Sequence, residues 1–248
     1  MNSLKDKNAV ITGANRGIGR ETVERFAEAG ANIWACARKS SDEFESDMKQ
    51  VSEKYNVRVK PVYFDMSDSD AVKVAIRKIA DEETAVDILV NNAGVPYGGL
   101  LMMTPIARLR EVFEVNYFSQ ILMMQLVGRL MIRQKSGVIV NIVSVGGIET
   151  NPGYLAYGSS KAALIWATKS ISKELAAFGI RVNGVAPGLT KTAMGMYKTE
   201  EELNKVIERS SLGRMAAPSE IVNAIEFLAS DKASFITGTI LNVDGGRL

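Results

Sequence analysis

The sequence predicts a doubly wound α/β fold, in which a parallel sheet of about seven strands carries helices on both faces. Short β-branched runs alternate with helical patterns, and a glycine-rich turn joins the first strand to the first helix. No linker or internal repeat divides the 248 residues. Parallel strands need right-handed crossovers, which place helices on both faces. We therefore expect one domain over residues 1–248.

The strands are predicted from six runs of apolar and β-branched residues. They occupy residues 9–12, 32–35, 57–64, 87–91, 138–143 and 180–185. Residues 189–211 follow the sixth strand and are the least regular part of the chain. Because folds of this kind bind ligands at the carboxyl ends of their strands, this segment is predicted to be a lid.

The composition excludes several classes of protein. Lysine and arginine total 30 against 28 aspartate and glutamate, and the net charge of +2 offers no broad basic surface to nucleic acid. The chain has no histidine and one cysteine, Cys36, so the common zinc sites are excluded and no metal is expected. The apolar stretch 121–132 is too short and too interrupted to span a membrane. With no leader pattern and no disulfide, we expect a cytoplasmic protein.

The turn after the first strand has the glycine spacing of a phosphate cradle. Glycines allow a tight turn and a close backbone approach, and the following helix presents unpaired N–H groups and its positive dipole end. The alternative is an ordinary strand-to-helix connection. The residues predicted to contact a dinucleotide here are Gly13, Asn15, Arg16, Gly17, Ile18 and Gly19.

The end of the second strand predicts which dinucleotide binds. An acidic residue there would accept from a ribose 2′-hydroxyl and repel a 2′-phosphate, but residues 35–39 contain no carboxylate. Arg38 and Arg16 could instead hold a phosphate between them, which favours NADP(H). The alternative is two ordinary solvated arginines.

Two further strand ends contribute candidate cofactor contacts. Asp65 closes the third strand, where its carboxylate could accept from the adenine amino group or cap the next helix. Residues 91–94 end the fourth strand; their small side chains allow backbone approach and their amides could join neighbouring strand ends, unless they form a mere turn. The predicted cofactor contacts are Asp65, Met66, Asn92, Ala93 and Gly94.

Proton chemistry without histidine is assigned to Tyr157 and Lys161. Their spacing of four places both on one face of a helix that continues to about residue 177. Lowering the pKa of a tyrosine from about 10 to neutrality needs roughly 4 kcal/mol. A cation about 4 Å away supplies about that much at an effective dielectric near 20.

Two polar residues complete the predicted catalytic group. Ser144 follows the fifth strand, which ends on the same edge of the sheet as the glycine-rich turn. Asn116 interrupts an apolar helical pattern, and the alternative is an asparagine bonded only within its own helix.

Taken together, these motifs resemble those of the short-chain dehydrogenase/reductase family over essentially the whole chain. The resemblance implies a Rossmann-type fold in which Ser144 binds the substrate carbonyl, Tyr157 is the acid in reduction, and Lys161 binds the nicotinamide ribose and lowers the pKa of the tyrosine. It implies that Asn116 holds a water in the proton relay. It further implies that the segment beside the nicotinamide comprises Pro187, Gly188, Leu189, Thr190 and Thr192.

Within the family the chain is most similar to 3-oxoacyl-[acyl-carrier-protein] reductases of fatty acid biosynthesis, through residues 141–145, 181–188 and 236–246. That similarity implies an acyl thioester substrate, an acyl carrier protein as partner and a homotetramer. Basic residues at 133–135 fit a carrier-binding entrance, whereas Phe178 stands where an arginine is expected. Reduction of a sugar, polyol, steroid or other small ketone, and a non-catalytic nucleotide-binding module, are the alternatives. Residues 100–103 and 194–197 could form an adaptable apolar substrate pocket.

Overall fold

A computed structural model describes residues 3–82, 85–195 and 200–247 of the protein. Seven strands form one parallel sheet in the order β3-β2-β1-β4-β5-β6-β7. The strands are β1 (Asn8–Thr12), β2 (Asn32–Ala37), β3 (Val59–Tyr63), β4 (Ile88–Asn91), β5 (Gly137–Ile142), β6 (Ile180–Pro187) and β7 (Ile240–Val243). The predicted doubly wound α/β fold is thereby confirmed.

The six predicted strands are all present, with ends that differ from the prediction by at most two residues. β2 and β6 extend further than their β-branched runs because their last residues still pair with neighbours: Ala37 lies opposite Tyr63, and Pro187 lies opposite Val243. The seventh strand, whose position was not predicted, is β7. β7 pairs with β6 and so adds an edge strand to the sheet.

The helices cover both faces of the sheet. They are α1 (Gly17–Glu28), α2 (Asp42–Tyr55), α3 (Ser69–Glu82), α4 (Ile106–Phe113), α5 (Ser119–Gln134), α6 (Leu155–Leu175), α7 (Glu200–Ile207) and α8 (Pro218–Ala229). Core residues of α1, α2 and α8 belong to one apolar cluster, and those of α3, α5 and α6 belong to the other. Within the described residues, every helix is too short or too polar to cross a membrane.

The strands alternate between these two clusters. In β1, Ile11 packs into the cluster with α1, whereas Val10 packs into the cluster with α5, and both side chains are fully buried. Successive side chains of a strand point to opposite faces, so burial on both faces requires continuous apolar runs. This is why the strands read as uninterrupted apolar segments. Because every strand pair is parallel, the carboxyl ends of all strands lie at one edge of the sheet.

The predicted lid segment leaves this edge after β6 and returns before α8. The two ends of this segment lie side by side. The amide of Ala216 donates to the carbonyl oxygen of Leu189 at 2.9 Å, and the amide of Lys191 donates to the carbonyl oxygen of Ala216 at 2.9 Å. α7 lies within the excursion. The described excursion therefore ends at residue 216 rather than at residue 211, because this backbone pairing closes it.

Candidate active site

A cavity of about 470 Å³ opens at the carboxyl edge of the sheet. It extends from the glycine-rich turn after β1 to the first turn of α6. Two predicted site residues, Gly19 and Asn116, do not line it. The predicted residues that do line it are Gly13, Asn15, Arg16, Gly17, Ile18, Arg38, Asp65, Met66, Asn92, Ala93, Gly94, Ser144, Tyr157, Lys161, Pro187, Gly188, Leu189, Thr190 and Thr192.

The glycine-rich turn forms one wall of the cavity. Gly13 and Gly17 have φ values of +66° and +57°, which favour glycine. A Cβ on Gly19 would lie 2.1 Å from the carbonyl oxygen of Gly13, so this position requires glycine although it does not line the cavity. α1 begins at Gly17 with no side chain capping its first amides. These amides are therefore available to an anion in the cavity.

The end of β4 is fastened to this turn. The Oγ1 of Thr12 accepts hydrogen bonds from the amides of Asn92 and Ala93, both at 3.0 Å. The side-chain amide of Asn92 donates back to the carbonyl oxygens of Thr12 at 2.9 Å and Gly13 at 3.2 Å. The amides thus join neighbouring strand ends as predicted, and the reading of this segment as a mere turn is wrong.

The end of the cavity nearest β3 contains Asp65 and Met66, which follow that strand. One carboxylate oxygen of Asp65 accepts from the amide of Ser67 at 2.8 Å and from its hydroxyl at 2.7 Å. These bonds, with smaller effects of the nearby charges of Arg38 and Lys39, hold the pKa of Asp65 below its usual value. The residue that caps α3 is Asp68, which accepts from two amides of its first turn at 3.0 Å. The helix-capping alternative for Asp65 is therefore wrong.

The two arginines predicted to bind phosphate lie at the same end. Arg16 precedes α1 and Arg38 follows β2, and both side chains are exposed and line the cavity. Cys36, which also lines it, is buried, and burial raises the pKa of its thiol to about 12. The thiol is accordingly unreactive near neutral pH.

Lys161 is anchored at the opposite end of the cavity. Its Nζ donates to the carbonyl oxygen of Ile142, the last residue of β5, at 2.7 Å. The residue is 4% exposed, and burial lowers the pKa of its ammonium group to about 8. Tyr157 lies one turn earlier on α6, is half-buried and lines the same cavity. The four-residue spacing therefore brings both groups into one site, as predicted.

Ser144 lies directly after β5 and faces the same site. Its hydroxyl accepts from the amide of Gly146 at 3.1 Å, which closes a single turn of 3-10 helix. A Cβ on Gly147 would lie 2.7 Å from the main chain of Lys161, and one on Gly158 would lie 2.7 Å from the carbonyl of Gly146. Two glycines thus let this loop pack directly on α6, and Ser144 and Tyr157 line the same cavity.

Asn116 lies in a π-helical turn, Glu114–Phe118, between α4 and α5. Its Oδ1 accepts from the amide of Val95 at 2.8 Å, and its Nδ2 donates to the Val95 carbonyl at 3.0 Å and to the Ser160 hydroxyl at 3.1 Å. These bonds leave the helix, so the alternative of an asparagine bonded within its own helix is wrong. A Cβ on Gly94 would lie 3.2 Å from Asn116 Oδ1 and 3.6 Å from Lys161 Nζ. Asn116 therefore stands beside the site without lining the cavity.

The lid side of the cavity is built on the segment after β6. A Cβ on Gly188 would lie 2.8 Å from the Cα of Asp244, so glycine is needed for the close approach to the end of the chain. A Cβ on Gly17 would lie 3.2 Å from the methyl group of Thr192, so the segment after β6 lies close to the glycine-rich turn. Met194 lines the cavity, whereas residues 196 and 197 lie outside the described residues.

Two predicted contributions to substrate binding are not supported by their positions. Residues 100–103, of which Leu101–Met103 form a 3-10 turn, are exposed and do not line the cavity; Met102 is 93% exposed. Gln134, at the end of α5, exchanges two hydrogen bonds with the main chain of Val86 at 2.9 and 3.0 Å, just before β4 begins. Residues 133–135 and Phe178 therefore lie at the amino edge of the sheet, because each precedes a strand. Within one chain they do not border the cavity entrance.

Among the charged residues that line the cavity, Arg247 was not predicted from the sequence. Arg247 lines the cavity, and its side chain is 10% exposed. It is held by pairing of the segments around Ser210 and Arg247 and by an ion pair with Glu149. Nothing in the sequence distinguishes this arginine from a solvated one, since its partners are remote along the chain.

Comparison with known proteins supports the same interpretation. A family model described as Enoyl-(Acyl carrier protein) reductase matches residues 13–247. A 3-oxoacyl-[acyl-carrier-protein] reductase of Aquifex aeolicus is 37% identical over 98% of each chain. A structure described as an NAD(P)-dependent gluconate 5-dehydrogenase of Beutenbergia cavernae, with NADP at low occupancy, matches with a TM-score of 0.93 at 32% identity, over 98% of this chain and 97% of that one. A 7α-hydroxysteroid dehydrogenase complexed with NADH and an oxo bile acid conjugate gives 0.90 at 33% identity, over 99% and 95%.

Proposed function

Because this chain belongs to the short-chain dehydrogenase/reductase family, we propose that it reduces the 3-oxo group of an acyl thioester on acyl carrier protein, using NADPH. It is an oxidoreductase that acts on CH–OH and C=O groups with a nicotinamide cofactor. The observation that carries the proposal is that Ser144, Tyr157 and Lys161 share one cavity with the glycine-rich cradle. Proton donors and a dinucleotide site therefore meet at one place.

The cavity fits a dinucleotide. No side chain caps the amides at the start of α1, which lie at one end of the cavity. Because Gly19 has no side chain, the backbone of the turn can pack closely on Gly13. A bound nicotinamide supplies the hydride of the reduction. We place the adenine beside Asp65 and Met66, and the nicotinamide amide beside Pro187, Gly188 and Thr190, with Leu189 and Thr192 completing that wall. The small residues Asn92, Ala93 and Gly94 leave room between these ends.

The chain's own groups would move the proton. Ser144 would donate to the substrate carbonyl oxygen and stabilise its developing charge. Tyr157 would protonate that oxygen, and Lys161, held by Ile142, would favour the tyrosinate left behind. Asn116 would fix a relay water in the space around Gly94, from which the proton of the tyrosine is restored. This arrangement performs general acid catalysis without histidine.

The preference for NADPH rests on charge. Arg16 and Arg38 both line the adenine end of the cavity, and the end of β2 carries no carboxylate. Two guanidinium groups can bind a 2′-phosphate with charge-assisted hydrogen bonds. The two similar solved structures contain different nucleotides, NADP in one and NADH in the other, so our proposal of NADPH rests on Arg16 and Arg38 and not on the comparison.

The substrate class rests on the curated relatives. Relatives described as 3-oxoacyl-[acyl-carrier-protein] reductases match at 36–38% identity over nearly the whole chain. Sugar, polyol or steroid reduction and a non-catalytic role are not favoured, because the catalytic side chains are present and the curated relatives act on acyl chains. Recognition of the carrier protein, a cytoplasmic location and a homotetramer belong to the same proposal.

The test is a spectrophotometric assay of NADPH oxidation by the purified protein. Acetoacetyl thioesters of acyl carrier protein and of coenzyme A are compared with a ketose, a diketone and a steroid ketone, with Tyr157→Phe as the inactive control. We expect the highest kcat/KM with the carrier-bound thioester. Activity confined to the other ketones would contradict the proposed substrate but leave the oxidoreductase class intact.

A further inference from the structure

Arg247 gives the active-site cavity a charged group that the reduction of a neutral acyl chain does not need. Its side chain is nine-tenths buried, and the residue lines both the main cavity and a neighbouring cavity of about 100 Å³ beneath the lid. Backbone pairing holds it there: the amides of Ser211 and Leu212 donate to the carbonyls of Gly246 and Gly245 at 2.9 and 3.0 Å. The position of this arginine is therefore imposed by the fold.

The charges around Arg247 are unbalanced. Its Nε donates to one carboxylate oxygen of Glu149 at 2.8 Å, and Arg209 approaches the same oxygen at 3.8 Å. Arg209 also donates to the side-chain oxygen of Asn151 at 2.7 Å. Two guanidinium groups thus share one carboxylate, which leaves the group with a net charge of about +1.

The rest of the cavity does not neutralise this charge. Among its described lining residues, Asp65 is the one acidic residue, and it lies at the adenine end beside Arg38. Besides Arg247, the cation that lines the end of the cavity near Ser144 and Tyr157 is Lys161. A buried guanidinium whose partner is shared is costly unless another anion completes its hydrogen bonds.

We propose that Arg247, supported by Arg209, binds an anionic group of the substrate, which is either a carboxylate at the far end of the acyl chain or a phosphate of a pantetheine arm. This inference rests on the proposed function, since it specifies the acyl substrate of the same site. The anionic end would lie against Arg247 on the side of the main cavity, because Glu220 and Asp244 line the small cavity behind it, while Ser144 and Tyr157 bind the oxo group. A guanidinium matches a carboxylate or phosphate with paired hydrogen bonds.

The two sources are separated by paired substrates. A 3-oxo-dicarboxylic acid, as its mono-thioester with N-acetylcysteamine, is compared with the methyl ester of its free carboxylate; acetoacetyl coenzyme A is compared with acetoacetyl-N-acetylcysteamine, which has no phosphate. We expect kcat/KM to favour one anionic member by about tenfold or more. Preference in the first pair identifies the carboxylate, and preference in the second identifies the phosphate. Equal rates within both pairs would overturn the proposal.

Variants separate anion binding from a purely structural ion pair. Arg247→Met should abolish the preference, whereas Arg77→Met, the same change at an exposed position of α3, should keep it. Glu149→Gln removes the competing carboxylate, so it should keep or raise the preference. If the pair only fastens the chain end to the loop, Glu149→Gln and Arg247→Met should instead lower activity alike with charged and neutral substrates, and the proposal would be wrong.

A binding measurement keeps this inference distinct from the proposed function. Calorimetric titration of the NADP complex with glutarate and with its dimethyl ester requires no turnover. Glutarate should bind the wild type at least tenfold more tightly than it binds Arg247→Met, and the ester should not distinguish them. If thioesters are not reduced but this difference is present, the proposed function fails and the anion site stands. If neither glutarate nor a coenzyme A thioester distinguishes the two proteins, the anion site fails on its own.

Discussion

The ammonium group of Lys161 donates to the carbonyl oxygen of Ile142 at 2.7 Å, which joins α6 to the end of β5. This one bond is made by a side chain that is 4% exposed and whose pKa burial lowers to about 8. The fold therefore holds a cation where its solvation is poor. A buried and poorly solvated charge lowers the stability of the cofactor-free protein, and functional sites commonly carry such a cost.

Replacing Lys161 with methionine should make the cofactor-free protein more stable at pH 7. The folded state binds the proton less tightly than the unfolded state, so the cost of the buried charge is complete below pH 8 and is relieved as the pH rises towards the ordinary lysine range. This cost is about 3 kcal/mol at pH 7, which is an upper limit to the gain because the bond to Ile142 is lost. Urea unfolding at pH 7 and pH 10 should show a gain that shrinks at the higher pH. Lys169→Met, at an exposed position of the same helix, is the control; an equal gain at both pH values would contradict the prediction.

Tyr157→Phe should retain NADPH binding and lose turnover. The substitution removes one hydroxyl from a half-buried side chain and leaves the glycine-rich cradle intact. Loss of a general acid typically lowers kcat by about 10²- to 10⁴-fold. Fluorescence titration with NADPH gives the dissociation constant, and single-turnover kinetics give the chemical step. A variant with near-normal turnover would show that another group supplies the proton.

Ala37→Asp combined with Arg38→Ala should shift the preference from NADPH towards NADH. The new carboxylate at the end of β2 would accept from a ribose 2′-hydroxyl and repel a 2′-phosphate, while the clamp loses one guanidinium. Each charge-assisted hydrogen bond contributes about 1.5–3 kcal/mol, so the ratio of kcat/KM values should change by about 10²-fold or more. The measurement is the ratio for the two nucleotides at saturating ketone. An unchanged ratio would exclude the phosphate clamp.

Gly19→Ala should abolish dinucleotide binding or unfold the first βα unit. A Cβ at this position would lie 2.1 Å from the Gly13 carbonyl oxygen and 2.4 Å from the side chain of Asn92, so the turn must move. Gly98→Ala is the matched control, because no atom lies within 4 Å of the Cβ it would introduce. Thermal unfolding with and without NADP separates the two outcomes. Retained NADP stabilisation in Gly19→Ala would show that the cradle tolerates a wider turn.

The sequence predicted those parts of the structure that depend on local patterns. Strand positions follow from uninterrupted apolar runs, and the cradle follows from glycine spacing, as with Gly13 and Gly17. Tyr157 and Lys161 were paired by helical periodicity alone. All of these signals lie within a few residues of one another, so one chain segment contains the whole pattern.

The features that were not predicted depend on contacts between distant segments. The π-helical turn at Asn116 is stabilised by bonds to Val95 and Ser160, which lie 21 and 44 residues away. Arg247 meets Glu149 across 98 residues. The sequence analysis assigned Arg133 and Lys135 to the site entrance because their positive charge suits an acidic carrier protein. Their actual position, at the amino edge of the sheet, follows from the direction of α5. Charge alone carries no information about which edge of the sheet a residue occupies.

The hydrogen bonds between Thr12 and Asn92 have a consequence for the thermodynamics of binding. They fasten the glycine-rich turn to β4 before any nucleotide arrives, since both partners belong to the protein. A turn this rich in glycine would otherwise lose much conformational entropy when it closed on a ligand. This conformational entropy is already lost when the protein folds. Less entropy is therefore lost when the pyrophosphate binds, and the affinity is correspondingly higher.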